Sequence, residues 1–248
     1  MQVWFFSDLH LTDPESPLYV SFLSELDQIQ PKDLVVLAGD IFDLFVGNHK
    51  KFIRKNQTFL KKMGELTAKG TPVYFIEGNH DFNLHSVLER KGVRVVPDEM
   101  VIDIPENRRK IYVAHGDLAN PHDRNYLRFR SCVRSPWIKV LLNFLKVEWI
   151  EAIARKLSRP PQKQISDLPS EWDSQKRGEL RKIYRDFANQ KVTGLSPVSD
   201  FVILGHCHDL DEVPPFYWNM GYPPVHRQYL VYDSGTDQIK RVPFSRIP

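Results

Sequence analysis

A layered α/β sandwich is the fold class that this sequence predicts, and three observations carry it. Residues 2–6, 33–38, 72–77, 110–114 and 200–205 are short β-prone runs, each followed by a cluster of polar residues. Helical patterns at 17–29 and 50–69 separate the first three runs, an alternation that builds βαβ units around a largely parallel central sheet. Further β-prone runs at 93–96, 101–104 and 228–232 supply a second sheet.

In chain order, MQVWFF starts a strand at once, and the first helical pattern closes at Pro31. The second helical pattern stops before Gly70, and the apolar run Val73-Tyr74-Phe75-Ile76 leads directly into GNHDF at 78–82. A turn uses the glycine and the asparagine, which tolerate positive φ, but it has no need of His80 and Asp81. From 121 to 195 the alternation breaks. That stretch has no convincing strand, holds Trp137, Trp149 and Trp172, and reads as helices interrupted at Pro136 and at RPPQ, 159–162. The expected organisation is a core made of 1–120 and 196–248, with 121–195 a helical insertion.

Composition narrows the function classes. The 248 residues carry 42% apolar side chains and a net charge of +3, which suits a large α/β domain and gives no case for nucleic acid. Cys132 and Cys207 lie far apart without a CxxC pattern, and both read as packing residues in a reducing compartment. The N-terminal strand lacks the charged region and cleavage site of a signal peptide, so a cytoplasmic location is expected. The apolar stretch 137–157 contains Lys139, Lys146, Glu148, Glu151, Arg155 and Lys156. Each charge costs about 2.5–3.5 kcal/mol near a bilayer centre, so this stretch does not span a membrane, although it can lie on one.

The chemistry sits at the strand ends: SDLH, GD, EGNHD, AHGD and GHCH. Ligands of open α/β folds collect outside the carboxyl ends of strands, so these five ends can share one site. In extended chain i and i+2 face the same side, which points Asp8 with His10 and His206 with His208. Carboxylate plus imidazole suits a borderline-to-hard divalent cation such as Mn, Fe, Co or Zn. Asp8, His10, Asp40, Asn79, His115, His206 and His208 exceed what one ion takes from protein, and they suit two ions bridged by Asp40. Two cations about 3.5–4 Å apart clamp a phosphoryl group and lower the pKa of a water between them. His80 is then a general acid or charge stabiliser at the leaving oxygen, and Asp81 an orienter of an imidazole.

Other polar residues read differently. His49, His85, His122 and His226 have no partners in sequence and are expected in loops or at the surface. Asp43, in GDIFDLF, reads as a helix-start residue, and Asp117 as a candidate support behind the ligands.

The order Asp-x-His, Gly-Asp, Gly-Asn-His-Asp, His-Gly-Asp, Gly-His-x-His, from residue 7 to 208, resembles the calcineurin-like metallophosphoesterase superfamily. The resemblance implies a four-layer β-sandwich flanked by helices. It implies that Asp8, His10, Asp40 and His208 hold one metal, that Asp40, Asn79, His115 and His206 hold a second, and that His80 is catalytic alongside Asn79.

GDIFDLFVG (39–47), HGDLANPHDRNYLRFR (115–130) and RSPWIKVLLNFL (134–145) are similar to the UDP-2,3-diacylglucosamine hydrolases of lipid A biosynthesis. That likeness implies a helical cap that receives acyl chains, two Mn2+ ions, and peripheral contact with the cytoplasmic face of the inner membrane. The implied substrate is a nucleotide-linked diacylated sugar lipid, cleaved to UMP and 2,3-diacylglucosamine 1-phosphate, and no protein partner is implied. Asp123 and Tyr126 match that family's substrate contacts, and Arg159 is the expected basic contact among Arg155, Lys156, Arg159 and Lys163. The chain departs from the family at His80, where the usual motif is GN-Arg-D. Two other readings stand beside this one: a phosphoesterase for a soluble nucleotide, metabolite or phosphoprotein, and a metal-free binding scaffold. A greasy cap favours the lipid over the former, and the complete ligand set opposes the latter.

Overall fold

Val3 and Phe5 face one side of the first strand while Trp4 and Phe6 face the other, and all four are buried. A strand apolar on both faces must sit between two layers, and this one is central to the sandwich. The computed structural model describes residues 1–47, 49–135, 137–138, 141, 145, 148–150, 152, 170–194 and 199–245, with the backbone alone for 170–174.

The elements run β1 (Gln2–Phe6), α1 (Pro17–Leu26), β2 (Leu34–Ala38), β3 (Phe45–Val46), α2 (Lys50–Lys55), α3 (Gln57–Ala68), β4 (Val73–Ile76) and β5 (Asp81–Phe82). They continue with α4 (His85–Leu88), β6 (Arg94–Val96), β7 (Glu99–Ile104), β8 (Arg109–Ala114), α5 (Arg124–Val133), α6 (Ser170–Thr193) and β9 (Phe201–Leu204). The chain ends with β10 (Glu212–Val213), β11 (Tyr217–Asn219), α7 (Pro223–His226), β12 (Gln228–Asp233) and β13 (Gln238–Pro243).

One large sheet has the order β13-β12-β1-β2-β4-β6, the other β10-β11-β9-β8-β7, and β3 pairs with β5 in a separate two-stranded sheet. Within them β1, β2, β4 and β6 run parallel, as do β8, β9 and β11, so each sheet gathers carboxyl ends along one edge. Val36 and Ala38 meet Ile111, Val113 and Ile203 between the sheets. Outside the first sheet, Val35, Leu37 and Phe75 pack with Phe22 of α1 and Phe59 and Met63 of α3. Outside the second, Tyr112, Val202 and Leu204 pack under Tyr184 and Ala188 of α6. Helix, sheet, sheet, helix is the four-layer sandwich that the sequence predicts.

Strand membership differs from expectation. The runs 93–96 and 228–232 flank the first sheet, as β6 and β12, while 110–114 and 200–205 are the centre of the second. Apolar runs specify that a segment pairs, and only the crossovers decide with what. Five further strands, β3, β5, β10, β11 and β13, escaped notice: the first four are only two or three residues long, and β13 is an alternating polar strand at a sheet edge. The 50–69 pattern is two helices, because the Asn56 side chain donates to the Phe52 carbonyl at 3.1 Å and caps the first. The first helix ends at Leu26, short of 29.

The layered core predicts an uneven response to truncation. Phe5→Ala is expected to destabilise the protein by about 3–5 kcal/mol in chemical denaturation. Val20→Ala, at a 45% exposed position of α1, should shift stability by less than about 0.5 kcal/mol. Equal shifts would contradict the inter-sheet core.

Candidate active site

Beyond Phe6, Ala38 and Ile76 the parallel chains leave the sheet and are tied together by cross-links. Asp8 N–H donates to Gly39 O at 3.1 Å and His10 N–H to Asp40 O at 3.0 Å. Gly205 N–H donates to His115 O at 2.9 Å in the second sheet. Asp81 is the knot: its buried carboxylate accepts from Asp40 N (2.9 Å), Ile41 N (2.6 Å), Phe42 N (3.2 Å) and Gly78 N (3.1 Å). The expectation that Asp81 orients an imidazole is therefore corrected, since its lone pairs are spent on backbone. Gly78 and Gly205 allow the close approach: a Cβ on either would overlap the carboxylate of Asp40 or Asp8.

The i, i+2 argument also needs correction. Asp8, His10, Asp40, His206 and His208 have φ of 53°, 45°, 53°, 68° and 55°, the left-handed region and not extended chain. Such conformations cost of order 1–3 kcal/mol each and persist where surrounding bonds over-determine them. The side chains still converge, but through tight left-handed turns held by the cross-links above.

Two clusters of donor atoms result, Asp8–His10–His208 and Asp40–His115–His206, with His10–Asp40–His80 linking them. His10 Nε2 lies 3.1 Å from His208 Nε2, and His115 Nε2 lies 3.2 Å from His206 Nδ1 and 3.1 Å from Asn79 Oδ1. Asp40 Oδ2 is 3.4 Å from His115 Nε2 and 3.8 Å from His10 Nε2, and His208 Nε2 is 3.4 Å from Asp8 Oδ1. All seven residues singled out as ligands are thus in one place, with Asp40 between the clusters.

The donor set fits divalent cations. His115 Nδ1 lies 3.0 Å from the Ala38 carbonyl, which can only accept, so the Nδ1 proton is spent there and Nε2 faces the site with its lone pair. Around that lone pair stand an amide oxygen, a second imidazole and a carboxylate, an arrangement of acceptors that calls for positive charge. Burial alone would raise Asp8 and Asp40. His208 and His115 beside Asp8, and His115, His80 and His10 around Asp40, hold both carboxyls below the usual range, Asp40 well below. Burial would lower His115, but Asp40 above all, with Asp8, drives it up to about 10. A proton thus stands in for the cation, and metal binding must displace it. Burial and the His115 charge push His206 down to about 4, leaving it neutral and ready to ligate.

Around the clusters stand residues that the sequence did not assign to the site, Tyr222, Ser7 and Asp43, together with Asp117, which it did name as a support. Tyr222 stacks on His208 with ring centroids 4.4 Å apart and planes 13° apart, and meets His10 edge-on. Ser7 Oγ donates to Asp8 Oδ2 at 2.5 Å. Asp43 starts no helix: its carboxylate stands 3.9 Å from His10 Nδ1, and its carbonyl accepts from His80 Nδ1 at 2.7 Å. Asp117 accepts from Tyr126 OH (2.7 Å) and Arg130 Nε (2.6 Å). His226, expected in a loop or at the surface, instead ends the short helix α7, half-buried, and accepts from Tyr222 N at 2.8 Å. A tyrosine fourteen places beyond GHCH carries no local signal, whereas Asp43, three residues after the Gly-Asp motif, could have been found from its proximity to the motif.

Asp123 caps α5 by accepting from Tyr126 N at 3.1 Å, and the Tyr126 ring lies 5.5 Å from that of His206. Arg155, Lys156, Arg159 and Lys163 lie outside the described residues. In α6, Arg181 pairs with Asp209 (2.5 and 3.0 Å) and Arg185 with Asp211 (2.9 and 2.5 Å), just beyond His208. No helix among the described residues is long and apolar enough to cross a membrane.

Comparison with known proteins agrees with this geometry. The calcineurin-like phosphoesterase family model matches residues 1–210. A UDP-2,3-diacylglucosamine hydrolase of Vibrio cholerae serotype O1 is 34% identical over 169 residues, 67% of this chain and 67% of the relative. One from Neisseria meningitidis serogroup A is 30% identical over 209 residues, covering 83% of this chain and 81% of its own. One from Actinobacillus succinogenes is 27% identical over 227 residues, 87% and 88% respectively. Seven convergent ligand-type residues, with relatives of this kind, describe a metal-dependent hydrolase of phosphoester or pyrophosphate bonds. The chain belongs to the calcineurin-like phosphoesterase family and, within it, is related to the UDP-2,3-diacylglucosamine hydrolases.

Proposed function

We propose that this protein cleaves the pyrophosphate of UDP-2,3-diacylglucosamine to UMP and 2,3-diacylglucosamine 1-phosphate, using two Mn2+ ions. The observation that carries the reading is the pair of carboxylate–imidazole clusters meeting at Asp40. Its relatives' names supply the substrate.

Asp8, His10, Asp40 and His208 are assigned to one cation, and Asp40, Asn79, His115 and His206 to the other. Divalent cations held by these residues would supply charge to neutralise phosphate oxygens and to lower the pKa of a water. Asn79 contributes a neutral amide oxygen, adding no negative charge against the anionic substrate. His80 is held by its Nδ1–H on the Asp43 carbonyl, 2.7 Å away. That contact fixes the ring and leaves Nε2 as the nitrogen available to the leaving oxygen. A phosphate leaving group carries charge well, so His80 serves more by neutralising than by protonating.

The segment 121–195 is assigned as the cap between core pieces 1–120 and 196–248, and the C-terminal half of α6 also covers the second sheet. Asp123, Tyr126 and Arg159 are the proposed substrate contacts. Trp137, Leu141 and Trp149 are 85%, 49% and 63% exposed. Large apolar side chains so placed suit an acyl chain or a bilayer interface, which supports peripheral contact with the cytoplasmic face of the inner membrane. A soluble substrate gives no reason for them.

Incubated with Mn2+ and UDP-2,3-diacylglucosamine, the protein is expected to release UMP and the diacylated sugar phosphate, identified by mass. Survival of that substrate while a simple phosphodiester is cleaved would overturn the lipid assignment. Asp40→Ala should abolish turnover and strip metal while leaving the thermal melt of the metal-free protein intact; near-normal activity contradicts the shared site. His80→Ala should lower kcat by about 100-fold with metal content retained, and equal loss of metal and activity would make His80 a ligand.

A further inference from the structure

We propose that Arg134, at the end of α5, is a positioning residue for Asn79 and His80; the role rests on the hydrolase reading of the loop that carries them. β4 and β6 are parallel neighbours whose last paired residues are Ile76 and Val96. One more bond, Glu77 N–H to Val96 O at 3.0 Å, closes the ladder. Past it the two chains diverge, and the carbonyls of Glu77, Gly78 and Pro97 have lost the ladder that would pair them.

Arg134 supplies the missing donors. Its Nη2 donates to Glu77 O at 2.9 Å and Gly78 O at 3.1 Å, and its Nη1 donates to Pro97 O at 2.6 Å and Asp98 Oδ1 at 3.0 Å. The terminal guanidinium hydrogens number four, and each has an acceptor. The side chain is 15% exposed and spans both strand ends. A planar fork can do this and a lysine ammonium cannot, because its three donors radiate from one atom.

The Gly78 carbonyl belongs to the same planar peptide unit as the Asn79 nitrogen, so orienting one orients the other. The inner side of the loop is held by carboxylates: His80 N–H donates to Asp40 Oδ1 at 2.9 Å, and Gly78 N–H to Asp81 Oδ1 at 3.1 Å. Arg134 holds its outer side. Clamped between them, Asn79 keeps its Oδ1 3.1 Å from His115 Nε2. A role as mere counter-ion to Asp98 does not account for this geometry. Three of the four acceptors are backbone carbonyls, and Asp98 is 43% exposed and already paired with Arg130.

The test compares wild type, Arg134→Ala and Arg134→Lys on bis(p-nitrophenyl) phosphate with Mn2+, a chromogenic diester independent of the lipid assignment. Both variants should lose about 10–100-fold in kcat, as small misplacements do, with KM little changed. Added guanidinium should restore part of the alanine variant's rate and leave wild type unaffected. In metal-free protein, hydrogen exchange should quicken over 77–82 and 96–99, the two strand ends that Arg134 spans, and stay unchanged in the rest of the core. Variants matching wild type in both kcat and exchange would overturn the proposal. So would exchange that quickens across the whole chain with a lowered melting temperature, which makes Arg134 a general stability residue. A wild type inactive on any phosphodiester would sink the hydrolase reading, while the exchange pattern would still judge the grip of Arg134 on the loop.

Discussion

Asp40, 1% exposed among imidazoles that turn their lone pairs toward it, sets the terms for the rest of this structure. Acceptors packed this closely repel one another unless positive charge lies between them. Without metal, protons supply that charge, and His115 holds one up to about pH 10 because Asp40 and Asp8 outweigh its burial. Divalent cations do the same with more charge and with open coordination positions for a phosphate.

The fold meets the cost of that arrangement by rigidity at the strand ends. Five candidate ligands sit in left-handed backbone, a strain that only an over-determined loop can keep. The determination comes from parallel sheets that align the chain ends, and from Asp81, whose four N–H donors lash the loop after β2 to the loop after β4. Burial and Asp40 push the Asp81 carboxyl up to about 8, against the pull of its N–H donors. Helices α5 and α6 are fastened to the loops after β8 and β9, which carry His115, His206 and His208. Arg130 reaches Asp117, and Arg181 and Arg185 reach Asp209 and Asp211.

The seven ligand-type residues were legible because each lies within a few places of an apolar run, and parallel strands send such places to one edge. The reason given for their pairing was the wrong one: period-two alternation applies to extended chain, and Asp8, His10, His206 and His208 are not extended. Asp81 was misassigned because its partners are backbone groups, and those of residues 40–42 lie some forty places away, where no side-chain pattern can announce them. Tyr222 likewise reaches His208 only through the fold of the chain after β11. A layered α/β sandwich followed from strand and helix patterns and its four layers from the family resemblance, but which sheet took residues 93–96 or 200–205 did not. That choice is made by crossover geometry and by packing under α6.

The shared carboxylate can be tested directly. Metal-free protein would be loaded with Mn2+, the bound metal counted by elemental analysis, and its low-temperature electron paramagnetic resonance spectrum recorded. Two manganese ions per chain with an exchange-coupled spectrum, lost in Asp40→Ala, are predicted for a pair bridged through Asp40. One ion per chain, or two ions giving only isolated signals, would contradict the shared site.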